Sequence, residues 1–311
     1  MLKGYRLPLL SSLLLLGLSV PFFDEMRQLG KTSSSVYSEA SQIGTITDRS
    51  LAEISGMTPA RTGKGLWWVH NDSGDAPRLY LINSTGKLVG QFVVTGAKNR
   101  DWEDIASGPG RSGVPSLYIA DIGDNARKYE EYTIYRVKEP NLAKGRLNGA
   151  TEPAEHLRFR YPDGKHDAEA LFIDQQSGRP YIVTKKMTPP CGLYRFPLPL
   201  RPNKMVTLEK VPGHAVDRIS NLMMVTGAAA SPDGTRVVVR SYFTAVEITK
   251  NPSSPFETIF NNSPQIIKIP FERQGEAISY TPDGKALVMT SEGLPAPIFH
   301  MVRLPDKSNG K

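Results

Sequence analysis

A short segment of one grammar recurs five times in this 311-residue chain, and in four of the five it sets a carboxylate just before a small apolar pair. The segments are Ala52-Glu53-Ile54-Ser55, Trp102-Glu103-Asp104-Ile105-Ala106, Ala168-Glu169-Ala170-Leu171, Val225-Thr226-Gly227-Ala228 and Gly275-Glu276-Ala277-Ile278. With Thr226 as the non-acidic member, the key positions stand 50, 66, 57 and 50 residues apart. Self-similarity at a period of roughly 50 residues marks a repeat architecture, and a carboxylate kept at one place in each repeat suggests a shared site. The register has an internal check. Ser231-Pro232-Asp233-Gly234 and Thr281-Pro282-Asp283-Gly284 are the same turn, and seven residues before the Asp lie Thr226 and Glu276.

After each acidic segment the chain repeats a turn, a β-rich apolar run, a polar loop, a second run, another turn and a third run. In the first repeat the runs are Leu66-Trp67-Trp68-Val69, Arg78-Leu79-Tyr80-Leu81-Ile82 and Leu88 to Val94; in the third they are Tyr181 to Thr184, Gly192 to Phe196 and Met205 to Leu208. With the acidic segment this makes four strands per repeat, the content of one propeller blade. The expected fold is therefore all-β, a five-bladed β-propeller. The last repeat lacks an outer strand, and Gln42-Ile43-Gly44-Thr45-Ile46 near the N-terminus can supply it, closing the ring without an unpaired edge. The irregular stretch from Leu198 to Asn221 leaves room for a sixth blade.

The 38 Lys and Arg against 31 Asp and Glu give a net charge of +7, but the cations are scattered and no basic helix, RNP-like strand or zinc-finger spacing accompanies them. Nucleic acid is not an expected partner. Cys191 is the single cysteine, which excludes an intramolecular disulfide and a cysteine-rich metal site. Lys3 and Arg6 precede a mostly apolar run from Leu7 to Phe23 that Asp24 and Glu25 close, the charge order of a signal peptide or membrane anchor. Residues 1–30 are accordingly assigned to that segment, 31–41 to a tether, 42–305 to one propeller domain and 306–311 to a tail. The body is expected outside the cytoplasmic membrane, periplasmic or extracellular, with 7–23 as a possible tether to it.

In a propeller blade the first strand lines the channel and the second returns to the face from which the first began. The loops after the second strands then crowd the channel mouth, and with the acidic segments they bring Glu53, Asp72, Asp75, Asp101, Glu103, Asp104, Asp121, Asp124, Asp167, Glu169, Glu276 and Glu292 onto one face. Carboxylates this dense repel one another unless cations neutralise them. Hard oxygen donors without thiolates favour Ca²⁺, and the expected metal ligands are Glu53, Asp72, Glu103, Asp104, Asp121, Glu169 and Glu276. An acid at the start of an inner strand also has a purely structural use, accepting N–H groups of the next blade. Lys185, Lys186, Arg240 and Arg127 with Lys128 fall at second-strand ends, where they can hold an anionic ligand or serve as counter-ions to the acids. The candidates for catalysis are Asp121, Glu169, Lys185, Arg240 and His70; His70 and His166 are also open to simple hydrogen-bonding roles. The turns at Asp163-Gly164, Asp233-Gly234 and Asp283-Gly284 are placed on the opposite face or edge and given no chemistry. No P-loop, nucleophile elbow, dinucleotide fingerprint or H-E-x-x-H is present.

The run His70 to Asp75, the block Asn99-Arg100-Asp101-Trp102-Glu103-Asp104, the run Ile119 to Asn125 and Asp167-Ala168-Glu169-Ala170-Leu171 resemble the SdiA-regulated-like family of exported bacterial propellers. That family sits within a wider set of phytase-like and NHL-type propellers. The resemblance implies a five-bladed, calcium-binding propeller behind an N-terminal membrane segment and leaves the reaction open. The expected function is binding of a small anionic ligand or a partner protein at the mouth. The alternative is a calcium-dependent hydrolase of phosphate esters or lactones, in which Lys185, Lys186 and Arg240 stand in for a phosphate pocket.

Overall fold

A computed structural model describes residues 36–188, 190–213, 219, 221–222 and 224–305. The expected N-terminal segment, residues 31–35 of the tether and the tail lie outside these residues. Among the described residues no helix is long and apolar enough to cross a membrane.

Five sheets, each built on four antiparallel strands, form a five-bladed β-propeller. Blade 1 is Ile54–Pro59, Leu66–Asn71, Arg78–Asn83 and Leu88–Val93; blade 2 is Trp102–Pro109, Pro115–Asp121, Tyr132–Lys138 and Glu155–Arg160. Blade 3 is Ala168–Ile173, Pro180–Thr184, Leu193–Arg195 and the short Glu209–Lys210; blade 4 is Val225–Ala230, Arg236–Ser241, Ala245–Thr249 and Gln265–Ile267. Blade 5 is Gly275–Tyr280, Ala286–Ser291 and Ala296–Val302, completed by Ser41–Ile46 from the N-terminal side. The expected closure is thus the observed one, and the described residues between Leu198 and Asn221 form no sixth blade.

The strands show why alternation is weak in this sequence. An inner strand is sandwiched between two neighbouring blades, so Ala168–Ile173 and Gly275–Tyr280 are buried at every residue, whereas the peripheral Leu88–Val93 alternates. The core lies between blades: Trp68 and Leu79 of blade 1 pack with Trp102 and Ile119 of blade 2, and Tyr118 and Ala106 of blade 2 pack with Leu171 and Ile182 of blade 3. Closure is pinned by Glu247, which is fully buried in blade 4. It accepts from Tyr37 at 2.5 Å and Tyr280 at 2.7 Å, and its other oxygen pairs with Arg303.

Two strands depart from the expected bookkeeping. Met205–Thr207, expected as the outer run of blade 3, pairs in parallel with the last strand of blade 2, and Asn148–Ala150 does the same for blade 1. Each is an excursion that covers the exposed edge of the preceding blade. The repeated turns behave as their chemistry dictates: Gly234 and Gly284 take φ of +67° and +68°, and their amides bond the Ser231 and Thr281 carbonyls at 2.8 Å. These two turns close inner and second strands at the end away from the mouth. Asp163-Gly164 does not; it lies in the link from the last strand of blade 2 to the first of blade 3.

Candidate functional site

All five inner strands carry a one-residue bulge at the same register against the second strand. It falls between Ile54 and Gly56, Trp102 and Asp104, Ala168 and Ala170, Val225 and Gly227, and Gly275 and Ala277. The extra residue is Ser55, Glu103, Glu169, Thr226 or Glu276. A bulge frees one side chain from the ladder and re-aims it, and a ring of five equivalent bulges aims five side chains at the same place. Blade 1 corrects the sequence reading: the position equivalent to the other Glu residues is Ser55, and Glu53 lies two residues earlier. The overlooked signal was Ser55-Gly56, a hydroxyl followed by Gly, the same pair as Thr226-Gly227. Both hydroxyls lock blade to blade, Ser55 Oγ donating to the Glu103 carbonyl at 2.6 Å and Thr226 Oγ1 to the Gly275 carbonyl at 2.9 Å.

Two further tiers sit on this ring. Two residues before the bulge come Glu53, Asp101, Asp167, Met224 and Gln274. The residues that follow the second strands are Asp72, Ile122, Lys185, Tyr242 and Glu292. Backbone bonds tie the tiers together: Asp72 N to Glu53 O at 2.8 Å, Ile122 N to Asp101 O at 3.2 Å, Lys185 N to Asp167 O and Glu292 N to Gln274 O at 2.9 Å each. The mouth therefore collects Glu53, Asp72, Asp101, Glu103, Asp167, Glu169, Glu276 and Glu292 around the Lys185 ammonium. Asp101, Asp167 and Glu292 were not among the expected ligands. Asp101 and Asp167 lie inside the Asn99 to Asp104 and Asp167 to Leu171 blocks and Glu292 just after the second strand of blade 5, and their place relative to the bulge sets them beside the ring.

The carboxylates converge closely. Asp72, Asp101 and Glu103 can each place an oxygen within 4.8 Å of the others, and so can Glu103, Asp167 and Glu169. Glu103 belongs to both groups and links them. It is 4% exposed, and among the described residues its carboxylate accepts no hydrogen bond. Burial, and then the charges of Glu169, Asp72, Asp101 and Glu276, push its pKa well above the ordinary range. Burial, and then the charges of Glu169 and Glu292, raise Glu276 against the opposing Lys185, and burial with the neighbouring acids lifts Asp101 to about 6 and Glu292 to about 8. Glu169 rises only to about 7, because Lys185 offsets part of its burial. Gly123 completes the wall; a Cβ there would stand 2.1 Å from Glu103 Oε1 and 2.5 Å from the Asp101 carboxylate, so a larger residue would displace these side chains.

Four expected site residues are used elsewhere. Asp104 turns to the channel axis below the bulge, where its carboxylate accepts the Ile105 and Leu171 amides at 2.8 Å each and the Ala228 amide at 3.2 Å. Asp121 accepts from the amides of Asp101 at 2.8 Å and Arg100 at 3.3 Å, shaping the loop that carries Asp101. His70 and Arg240 occupy equivalent second-strand positions opposite Gly56 and Gly227, and both are wholly buried. His70 packs edge-on to Trp102 with its pKa pushed down to about 4 by burial, so it is neutral and faces no solvent. Arg240 bonds Glu272 at 3.0 Å and the Ala277 carbonyl at 3.1 Å, a sealed ion pair rather than an anion site. Of the acids on the loops, Asp75 and Asp124 are satisfied locally, by Asn71 and Tyr80 and by Lys128, Tyr129 and Tyr132. Cys191 is buried with Sγ 3.0 Å from the Leu222 carbonyl.

No family model matches this sequence, and the curated proteins return no match. Among solved structures, a protein described as a glucose dehydrogenase is similar over 85% of this chain and 99% of its own, at 10% identity and a TM-score of 0.45.

Proposed function

We propose that this is an exported or membrane-tethered, calcium-binding β-propeller that captures a small anionic ligand or a partner protein at its channel mouth. The observation that carries the reading is Glu103: a carboxylate buried without a hydrogen-bond donor, flanked on both sides by acids close enough to share an ion. Ionising a carboxyl so placed is costly, which is why its pKa is raised, and a cation at that point removes the cost. The donors are all hard oxygens without thiolate or imidazole, the set that suits Ca²⁺ with its loose six- to eightfold coordination. Asp72, Asp101 and Glu103 would hold one ion, and Asp167 and Glu169 extend the site past Glu103. Bound calcium would supply positive charge to an anionic group arriving from solvent. Membership of the SdiA-regulated-like family is supported by the motifs of blades 1 to 3, and export by the charge order of the first 25 residues.

Binding is favoured over hydrolysis by the fate of Arg240 and His70. A phosphate-ester hydrolase needs a basic pocket open to substrate and a proton carrier, and these two side chains are sealed in the interior. Calorimetry of chelated protein with Ca²⁺ tests the proposal: binding in the micromolar range or tighter is expected, and none would sink it. A panel of p-nitrophenyl phosphates, phytate and lactones assayed with Ca²⁺ checks the choice of class, and turnover would reverse it. Fractionation of cells expressing the full chain checks export.

A further inference from the structure

Lys185 stands between two halves of the mouth. Its ammonium contacts Glu169 Oε1 on one side, and on the other lies 3.4 Å from the Tyr242 hydroxyl and 5.3 Å from that ring's centroid. The Tyr242 hydroxyl in turn donates to Glu276 at 3.2 Å. Glu169 is also one corner of the carboxylate group it forms with Glu103 and Asp167. One carboxylate is therefore claimed by two cations, the tethered ammonium and any divalent ion that the acids hold. The ammonium and the ion repel each other, and the divalent charge attracts Glu169 more strongly than a single charge does.

The geometry points to Lys185 and Tyr242 as an oxyanion subsite that Glu169 masks and that a divalent cation unmasks by drawing Glu169 toward Glu103 and Asp167. This rests on the reading of the mouth as a calcium site and adds its ligand class and order of binding: the cation first, then a carboxylate, phosphate or phosphonate. The freed ammonium supplies a charge-assisted hydrogen bond, and the Tyr242 hydroxyl becomes a second donor by turning its single O–H from Glu276 to the anion. Linkage makes the coupling reciprocal, so the anion raises the affinity for the cation by the factor that the cation raises its own.

The test is calorimetry on the full chain, with Ca²⁺ as the cation and methylphosphonate as the probe anion. Wild type is expected to bind methylphosphonate at least tenfold more tightly at saturating Ca²⁺ than in chelator. Lys185→Met should bind Ca²⁺ as tightly or more so, having lost a competing cation, while methylphosphonate affinity in Ca²⁺ falls at least tenfold. Glu169→Gln should weaken Ca²⁺ binding and yet bind methylphosphonate in chelator at least tenfold better than wild type, because its ammonium is already free. Should either variant fail to fold by circular dichroism, Tyr242→Phe replaces it, with an expected three- to tenfold loss of anion affinity and unchanged Ca²⁺ affinity. Absence of Ca²⁺ binding by wild type overturns the calcium reading itself. Normal Ca²⁺ binding with methylphosphonate unbound, or bound equally with and without the ion, overturns the masking alone. Full coupling retained in Lys185→Met does so too, by placing the anion on the metal only.

Discussion

Asp104 Oδ2 lies 2.8 Å from the Leu171 amide nitrogen, and the same oxygen takes the Ala228 amide at 3.2 Å, so one side chain of blade 2 fastens the inner edges of blades 3 and 4. The inner strand of a blade turns an unpaired row of amides toward the channel, and those buried in a narrow channel need an acceptor. Burial pushes the Asp104 carboxyl well above its usual range, and the three amides pull the other way. Asp104→Ala strands two inter-blade donors and is expected to cost roughly 2–4 kcal/mol of unfolding free energy. Urea melts read the loss as a lower midpoint with an unchanged slope. Calcium affinity of the folded variant should stay within about twofold of wild type. A variant of normal stability that no longer binds Ca²⁺ would make Asp104 a ligand instead of a fastener.

Glu103 should show the opposite pattern. Its charge is opposed by burial and by four neighbouring acids, so Glu103→Gln removes repulsion without removing a hydrogen bond. In chelator the variant is expected to melt a few degrees higher than wild type, since about 1 kcal/mol moves Tm by roughly 2–4 °C in a domain of this size. Its Ca²⁺ affinity should fall at least tenfold, or about 1.4 kcal/mol. Scanning calorimetry with and without Ca²⁺ checks both effects, and a lower Tm in chelator would mean that Glu103 carries a stabilising bond.

The raised carboxyls also fix the sign of the pH dependence. Asp101 at about 6, Glu169 at about 7 and Glu292 at about 8 bind protons in the folded chain at pH values where the unfolded chain has lost them. The folded state thus holds more protons than the unfolded state between roughly pH 4 and pH 8, and stability must fall as pH rises across that window. In chelator the Tm is expected to drop by about 5 °C from pH 5 to pH 8. Saturating Ca²⁺ should flatten or reverse the slope, because it binds the deprotonated acids and therefore competes with protons. A Tm that climbs with pH in chelator would contradict the electrostatics of the mouth.

Blade number and ring closure were legible in the sequence because both rest on local signals, runs of β-branched and aromatic residues between turns and an orphan run at Gln42 to Ile46. The face on which the acids gather was legible for a similar reason, since strand direction alternates within a blade. The inner ring was misread at blade 1, where Glu53 matched the pattern of acid before small apolar residues but Ser55 occupies the bulge. A bulge is a property of the pairing between two strands, and no single strand's sequence displays it. The same limit applies to direction within the site. Asp104 and Glu103 are adjacent in sequence, yet one is turned to the backbone of blades 3 and 4 and the other to open carboxylates. Arg240 and His70 were read as mouth residues because they end their strands near it. That Gly56 clears space for the His70 ring and Gly275 for the Arg240 guanidinium becomes visible only in the packing.

Arg240 gives the clearest separation between the two readings of a mouth cation. Its guanidinium and the Glu272 carboxylate are both wholly inaccessible to solvent, and a Cβ added to Gly275 would lie 2.0 Å from Arg240 Nη2. Burial raises the Glu272 pKa and the guanidinium lowers it, so each charge is held in place by the other. Removing one partner leaves an uncompensated buried charge, and Arg240→Met is expected to cost about 3–5 kcal/mol. Replacing both, Arg240→Met with Glu272→Leu, should recover much of that loss, since an apolar pair of similar volume can serve a buried site as well as ions do. Urea melts of the two single variants and the double variant give the coupling between the sites. Methylphosphonate binding by the double variant at saturating Ca²⁺ should match wild type within about twofold, and a tenfold loss with stability restored would return Arg240 to the list of anion ligands.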